Sequence, residues 1–125
     1  ANIWNSVITG SPTCLMIDGE RNFANAGAPG SLTGSLTIQN SFVNCTANFA
    51  DGEGAAFPTS DWFLSQSENQ EGDPLLSGGY LPVSGSPLTL GGAAVNDPFF
   101  TVVDYAGAFK DANSDWTKEW TFNFN

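Results

Sequence analysis

The chain has 125 residues, 13 acidic against three basic, with no histidine and a formal charge of −10. That charge repels phosphate backbones and anionic bilayers, so neither nucleic acid nor membrane insertion is expected. Without histidine, a cysteine–histidine zinc site and Cys–His catalysis are excluded. Charged side chains are only 13% of the chain, about half the usual share, and Ser, Thr, Asn and Gly make up the polar remainder. Such neutral polar surfaces suit a secreted β protein, and extracellular or cell-surface location is the expectation.

From the N-terminus, Ile3–Thr9 alternates loosely and stops at Gly10-Ser11-Pro12; Cys14–Ile17 follows and stops at Asp18-Gly19. Residues Asn22–Gly34 are rich in Gly, Ala and Asn, with Pro29-Gly30 marking a turn. Ser35–Cys45 is the longest strand candidate, β-branched at Thr37, Ile38 and Val43. These segments repeat. Ile3, Asn5, Ser6, Val7 and Ile8 align with Ile38, Asn40, Ser41, Phe42 and Val43, and IDGE at Ile17–Glu20 answers ADGE at Ala50–Glu53. The first match has a shift of 35 and the second a shift of 33.

Short strands repeating at such a period predict an all-β fold, a short parallel β-helix or coil stack, with an antiparallel β-sandwich as the alternative. In a stack, Asn5 and Asn40 would form a ladder whose amides bond from coil to coil. Cys14 and Cys45 would lie on successive coils, near one another but not equivalent. They form either a disulfide, favoured by an oxidising compartment, or two buried thiols.

After Gly54 the periodicity fades. Ser60–Ser67 is the best helix candidate, inside a loop excursion spanning residues 54–74. Residues 1–96 would form the coils and residues 97–125 an aromatic C-terminal cap, together one structural unit. From Trp116 the apolar residues Trp116, Trp120, Phe122 and Phe124 recur at strand spacing, interrupted at Lys118. This tail is expected to be a dense, buried part of the fold.

The tail also carries a resemblance. Asp97–Phe100 (DPFF), then Val103-Asp104-Tyr105, Gly107-Ala108-Phe109, and Asp115, Trp116 and Trp120 make a DPFF, VDYxGAF, DWxxxW series. This series resembles the C-terminal end of large secreted or surface bacterial proteins with parallel β-helix-like repeats. The resemblance implies a fold terminus and no catalytic residue.

Chemistry-bearing candidates are few. Asp18 with Glu20 and Asp51 with Glu53 are paired carboxylates on DG turns. If coils stack, the four converge and call for a cation or for the acid–base work of a polysaccharide lyase or hydrolase; the competing reading is that they are simply turns. Glu68, Glu71 and Asp73 are a candidate Ca²⁺ set, although their spacing is not that of an EF-hand loop. Trp4 and Trp62 are candidate carbohydrate contacts. The edge Ile3, Trp4, Asn5, Ser6, Val7 and Ile8 enters a strand pattern at once, and unpaired strands template further pairing. The expected function is therefore non-enzymatic: a structural, adhesion or assembly module, associating through that edge with further protein or into a filament. A polysaccharide-binding module or an acidic-site lyase or hydrolase is the alternative.

Overall fold

The computed structural model describes residues 1–120. The strand–turn–strand pattern yields β1 (Asn2–Trp4), β2 (Val7–Thr9) and β3 (Thr13–Ile17), followed by helix α1 (Glu20–Ala26). It recurs as β4 (Thr37–Gln39), β5 (Phe42–Asn44) and β6 (Ala47–Asp51), followed by helix α2 (Thr59–Ser65). A two-residue strand, β7 (Gln70–Glu71), and a 3₁₀ turn at Pro87–Leu90 complete the regular elements. The protein is strand-rich with little helix, and its sheets are small.

Each strand of the first segment lies parallel to its counterpart in the second. β1 pairs with β4, with Ile3 opposite Ile38. β2 pairs with β5, with Val7 opposite Phe42, and β5 pairs on its other side with β7. β3 pairs with β6. One isolated antiparallel bridge joins Leu76 and Pro82. An antiparallel sandwich needs antiparallel neighbours, and these strands have parallel ones.

The register follows from loop length. β1 and β2 pair at a shift of 35, but the corner after β2 has three residues (10–12) and the corner after β5 two (45–46). The shift therefore falls to 34, and Ile17 meets Asp51 rather than the Ala50 of the sequence alignment. The two DG turns then nest: Gly19 N–H donates to Glu53 O, Gly52 N–H donates to Ile17 O, and Asp18 Oδ1 accepts from Glu53 N–H at 2.7 Å. A Cβ on Gly52 would collide with Asp18, so the turn requires glycine there.

The corners share a backbone device. Asn5, Asn40 and Glu68, one before each strand of the β2–β5–β7 sheet, have φ of 51°, 52° and 53°. Asn tolerates this left-handed conformation better than other non-glycine residues. The expected amide ladder stands one residue further on. Ser6 N–H donates to Ser41 Oγ at 3.1 Å, and Ser41 N–H donates to Asn69 Oδ1 at 3.0 Å. Asn69 is buried and its Nδ2 donates to Ile38 O and Phe63 O, so its side chain stitches three segments together. The Asn5 and Asn40 amides turn away from each other's segment. Asn5 exchanges two hydrogen bonds with the backbone of Ala93, and Asn40 Nδ2 donates to Gly91 O.

Alternation along β5 separates two apolar clusters. Val43 joins Ile17, Phe23, Ala26, Ile38, Trp62 and Phe63 in the main core. Phe42, on the opposite face, packs with Leu88 and Ala106, and Val7 and Leu76 lie against them. Residues 88–107 thus cover the outer face of the β2–β5 pair. Gly92 lets this layer close on itself, since a Cβ there would strike the backbone of Tyr105.

The aromatic tail differs from its expectation. Residues 116–120 form a turn, and Phe99 and Trp120 are more than 80% exposed. The ring of Trp116 is tilted on Phe109 at 5.9 Å, yet Trp116 remains 60% exposed. Phe122 and Phe124 lie outside the described residues. Apolar period two marks a buried strand only where a partner surface exists, and around Trp116 and Trp120 the described chain provides little.

Candidate functional site: the open edge of the first strands

The first segment has partners on one side only. Among the described residues, β1, β2 and β3 each pair with a single strand, and β2 is the edge of its sheet. A parallel strand bonds alternate residues to each neighbour. Phe42 N–H donates to Ser6 O, so Ser6 and Ile8 serve β5. The backbone groups of Val7 and Thr9 consequently face the open edge. At its start, Gly107 N–H donates to Asn5 O at 2.7 Å, which brings the 106–109 segment beside β2.

A cleft of about 310 Å³ opens at this edge. Its walls are mainly apolar, with Val7, Leu88, Ala106 and Phe109 joined by Tyr80 and Pro82. Of the strands only β2 contributes lining residues, so the cleft sits at the level of the sheet edge. Trp4 and Phe100 line a separate groove of about 400 Å³, between residues 2–6 and the 93–103 segment. Of the edge residues, Ile3, Trp4, Asn5, Ser6 and Val7 each line one or both of these clefts, whereas the Ile8 side chain packs against the main core on the other face.

The other sequence candidates are placed elsewhere. Trp62 is fully buried and its Nε1–H donates to Ala26 O at 3.0 Å, so it offers no ring to a sugar. The paired carboxylates act as local caps: Asp18 accepts from Glu53 N–H, and Asp51 Oδ1 accepts from Thr59 N–H at the start of α2. Glu71 accepts from Asn48 Nδ2 and Asp73 from Leu75 N–H. Among the described residues, no group of three or more His, Cys, Asp or Glu side chains is placed to hold a metal ion. Spacing alone pointed to Glu68, Glu71 and Asp73; the fold spends two of the three on local hydrogen bonds.

Cys14 and Cys45 form a disulfide, with Cα atoms 5.5 Å apart. Cys14 stands in β3, and Cys45 occupies the corner between β5 and β6, where its N–H donates to Asn48 Oδ1. The bridge closes a loop of 31 positions and contributes about 3–4 kcal/mol by restricting the unfolded chain. No helix of the described residues is long and apolar enough to cross a membrane. The residues that sequence reasoning missed are Ser41 and Asn69, whose buried polar side chains carry the ladder; their only sequence signal is a small polar residue after each left-handed corner.

These features define a small, strand-rich, disulfide-bridged protein with parallel sheets. No family model, curated protein or solved structure matches the chain.

Proposed function

We propose that this chain is a non-enzymatic structural module of an extracellular surface protein. In this reading it is a short parallel β-helix, a stack of coils built for assembly or adhesion. The observation that carries it is the one-sided pairing of β1, β2 and β3 beside a two-sided β5. A coil stack with one uncovered end adds strands, because outward N–H and C=O groups retain their bonding capacity. The disulfide supports an oxidising, extracellular setting. The backbone-capping roles of Asp18 and Asp51 support structure over acid–base catalysis.

A screen of acidic and neutral polysaccharides for bond cleavage tests this reading, with Asp18→Ala and Asp51→Ala variants in parallel. No turnover is expected from any of the three proteins. Turnover by the parent chain that either substitution abolishes would replace the structural reading with the enzymatic one. A second reading, polysaccharide binding, draws support from the groove shared by Trp4 and Phe100. Affinity electrophoresis separates it: retardation by a glycan that Trp4→Ala removes would favour binding.

A further inference from the structure

We propose that the open edge of β2 recognises one kind of partner: an uncharged or basic extended strand with the pattern Asn-Ser-aliphatic-aliphatic. The strand pairs parallel to β2 and seats its first aliphatic side chain in the cleft beside Val7. This rests on the structural reading above and specifies what its edge takes.

Three features of the edge dictate the pattern. The first is the serine column. Ser41 Oγ donates to Gln39 O and accepts the Ser6 N–H. Ser6 Oγ makes the same donation, to Trp4 O at 2.9 Å, but among the described residues no N–H donates to it. A backbone N–H at the next equivalent position completes the column.

The second feature is the cleft. Val7 lies opposite Phe42, and both pack on the Leu88–Ala106 layer. The cleft continues that apolar column at the level of β2, with Phe109 and Tyr80 as further walls. An aliphatic side chain in register with Val7 fills it; a charged one would be desolvated there without a partner. The third is the corner. Asn5 and Asn40 both turn the chain through left-handed backbone, so Asn or Gly suits the same position in the added strand.

Charge and chemistry choose among occupants. At −10, the chain repels another acidic surface. A second copy arriving head to tail would present β7, placing Gln70 at the apolar cleft position and Glu71 beside Ile8. Two copies meeting through the same edge would each bring a Ser6 N–H already given to Ser41, so neither completes the other's serine column. A strand like β2 itself meets every requirement.

The test uses a fluorescent nine-residue peptide, ANIWNSVIT, which copies residues 1–9 and is neutral in its side chains. Anisotropy is measured against the whole disulfide-bonded chain. Saturable binding is expected below about a millimolar. Replacing the peptide valine by aspartate, or reversing the peptide sequence, should weaken binding tenfold or more. Ser6→Ala in the protein should weaken it about threefold to tenfold, the worth of one hydrogen bond. Equal binding of the reversed peptide, or an unaltered response from Ser6→Ala, would overturn the proposal. So would a dimer of the chain that the peptide cannot displace. Amide exchange at Val7 and Thr9 without peptide keeps the two readings apart. Fast exchange with no peptide binding rejects the recognition pattern alone. Slow exchange at both positions shows a closed edge and rejects the open-stack reading as well.

Discussion

Ser6 gives its backbone N–H to the hydroxyl of Ser41, the residue 35 positions later, across 3.1 Å. One short contact thereby links the repeat in the sequence to the register of the strands. Ser41 is fully buried, and its hydroxyl also donates to Gln39 O at 2.9 Å.

Ser41→Ala should destabilise the fold by about 1–3 kcal/mol, because it leaves the Ser6 N–H without its acceptor and Gln39 O with the Asn5 N–H as its remaining donor. Ser6→Ala should cost less, about 0.5–1.5 kcal/mol, since only a donor to Trp4 O is lost. Urea unfolding of the two variants checks the order. A Ser6→Ala cost equal to or above that of Ser41→Ala contradicts the column.

Glu68 holds left-handed backbone at φ 53° without the local advantages of Asn. Glu68→Gly removes a penalty of about 1–2 kcal/mol and adds about 0.5–1 kcal/mol of chain entropy. The expected result is a small rise in stability. A clear fall in the thermal midpoint would show that the Glu68 side chain does something the backbone argument omits.

Trp62 and Trp116 should respond very differently to truncation. Trp62 is wholly buried between α1 and the strands, and Trp62→Ala should cost about 3–5 kcal/mol. Trp116 is 60% exposed and keeps one hydrogen bond, to Ala108 O, together with its contact to Phe109. Trp116→Ala should cost about 1 kcal/mol. Denaturant melts of both variants give the comparison; similar losses would place Trp116 in a packed interior after all.

Asp111 accepts hydrogen bonds from Asn113 N–H and from the Ser114 hydroxyl, which hold its carboxyl below the usual aspartate range. A lowered folded-state value favours the folded turn at pH above the ordinary aspartate range. That contribution disappears as pH falls through the lowered value. Carboxyl carbon shifts followed by NMR should place the Asp111 midpoint below that of the same residue in the unfolded chain. An equal or higher midpoint would contradict the turn geometry.

Much of the parallel arrangement was legible because NSVI and NSFV repeat in phase, with β-branched and aromatic residues between turn residues. Three things were hidden. The offset of β3 depends on a one-residue difference between two corners, which an alignment of IDGE with ADGE absorbs silently. The third row, Glu68-Asn69-Gln70-Glu71, shares backbone geometry with NSVI but no apolar residue, so composition reads it as loop. Trp62 and Trp116 look alike in sequence, and only packing of α2 on β3 and β6 decides which is interior. The Asn positions were read correctly as equivalent, whereas the ladder passed to Ser41 and Asn69, whose side-chain oxygens accept the backbone N–H of the neighbouring segment while Asn5 and Asn40 bond to Ala93 and Gly91.

Residues 2–17 pair parallel to residues 37–51, and through-space NMR contacts give the sharpest check of that arrangement. Parallel pairing should give cross-strand contacts from the Ile8 N–H to Phe42 and from the Phe42 N–H to Ser6, repeated between Ile3 and Ile38. Close Hα–Hα pairs between these strands should be absent. Strong Hα–Hα contacts, the mark of antiparallel neighbours whose Cα atoms approach to about 4.5 Å, would contradict it.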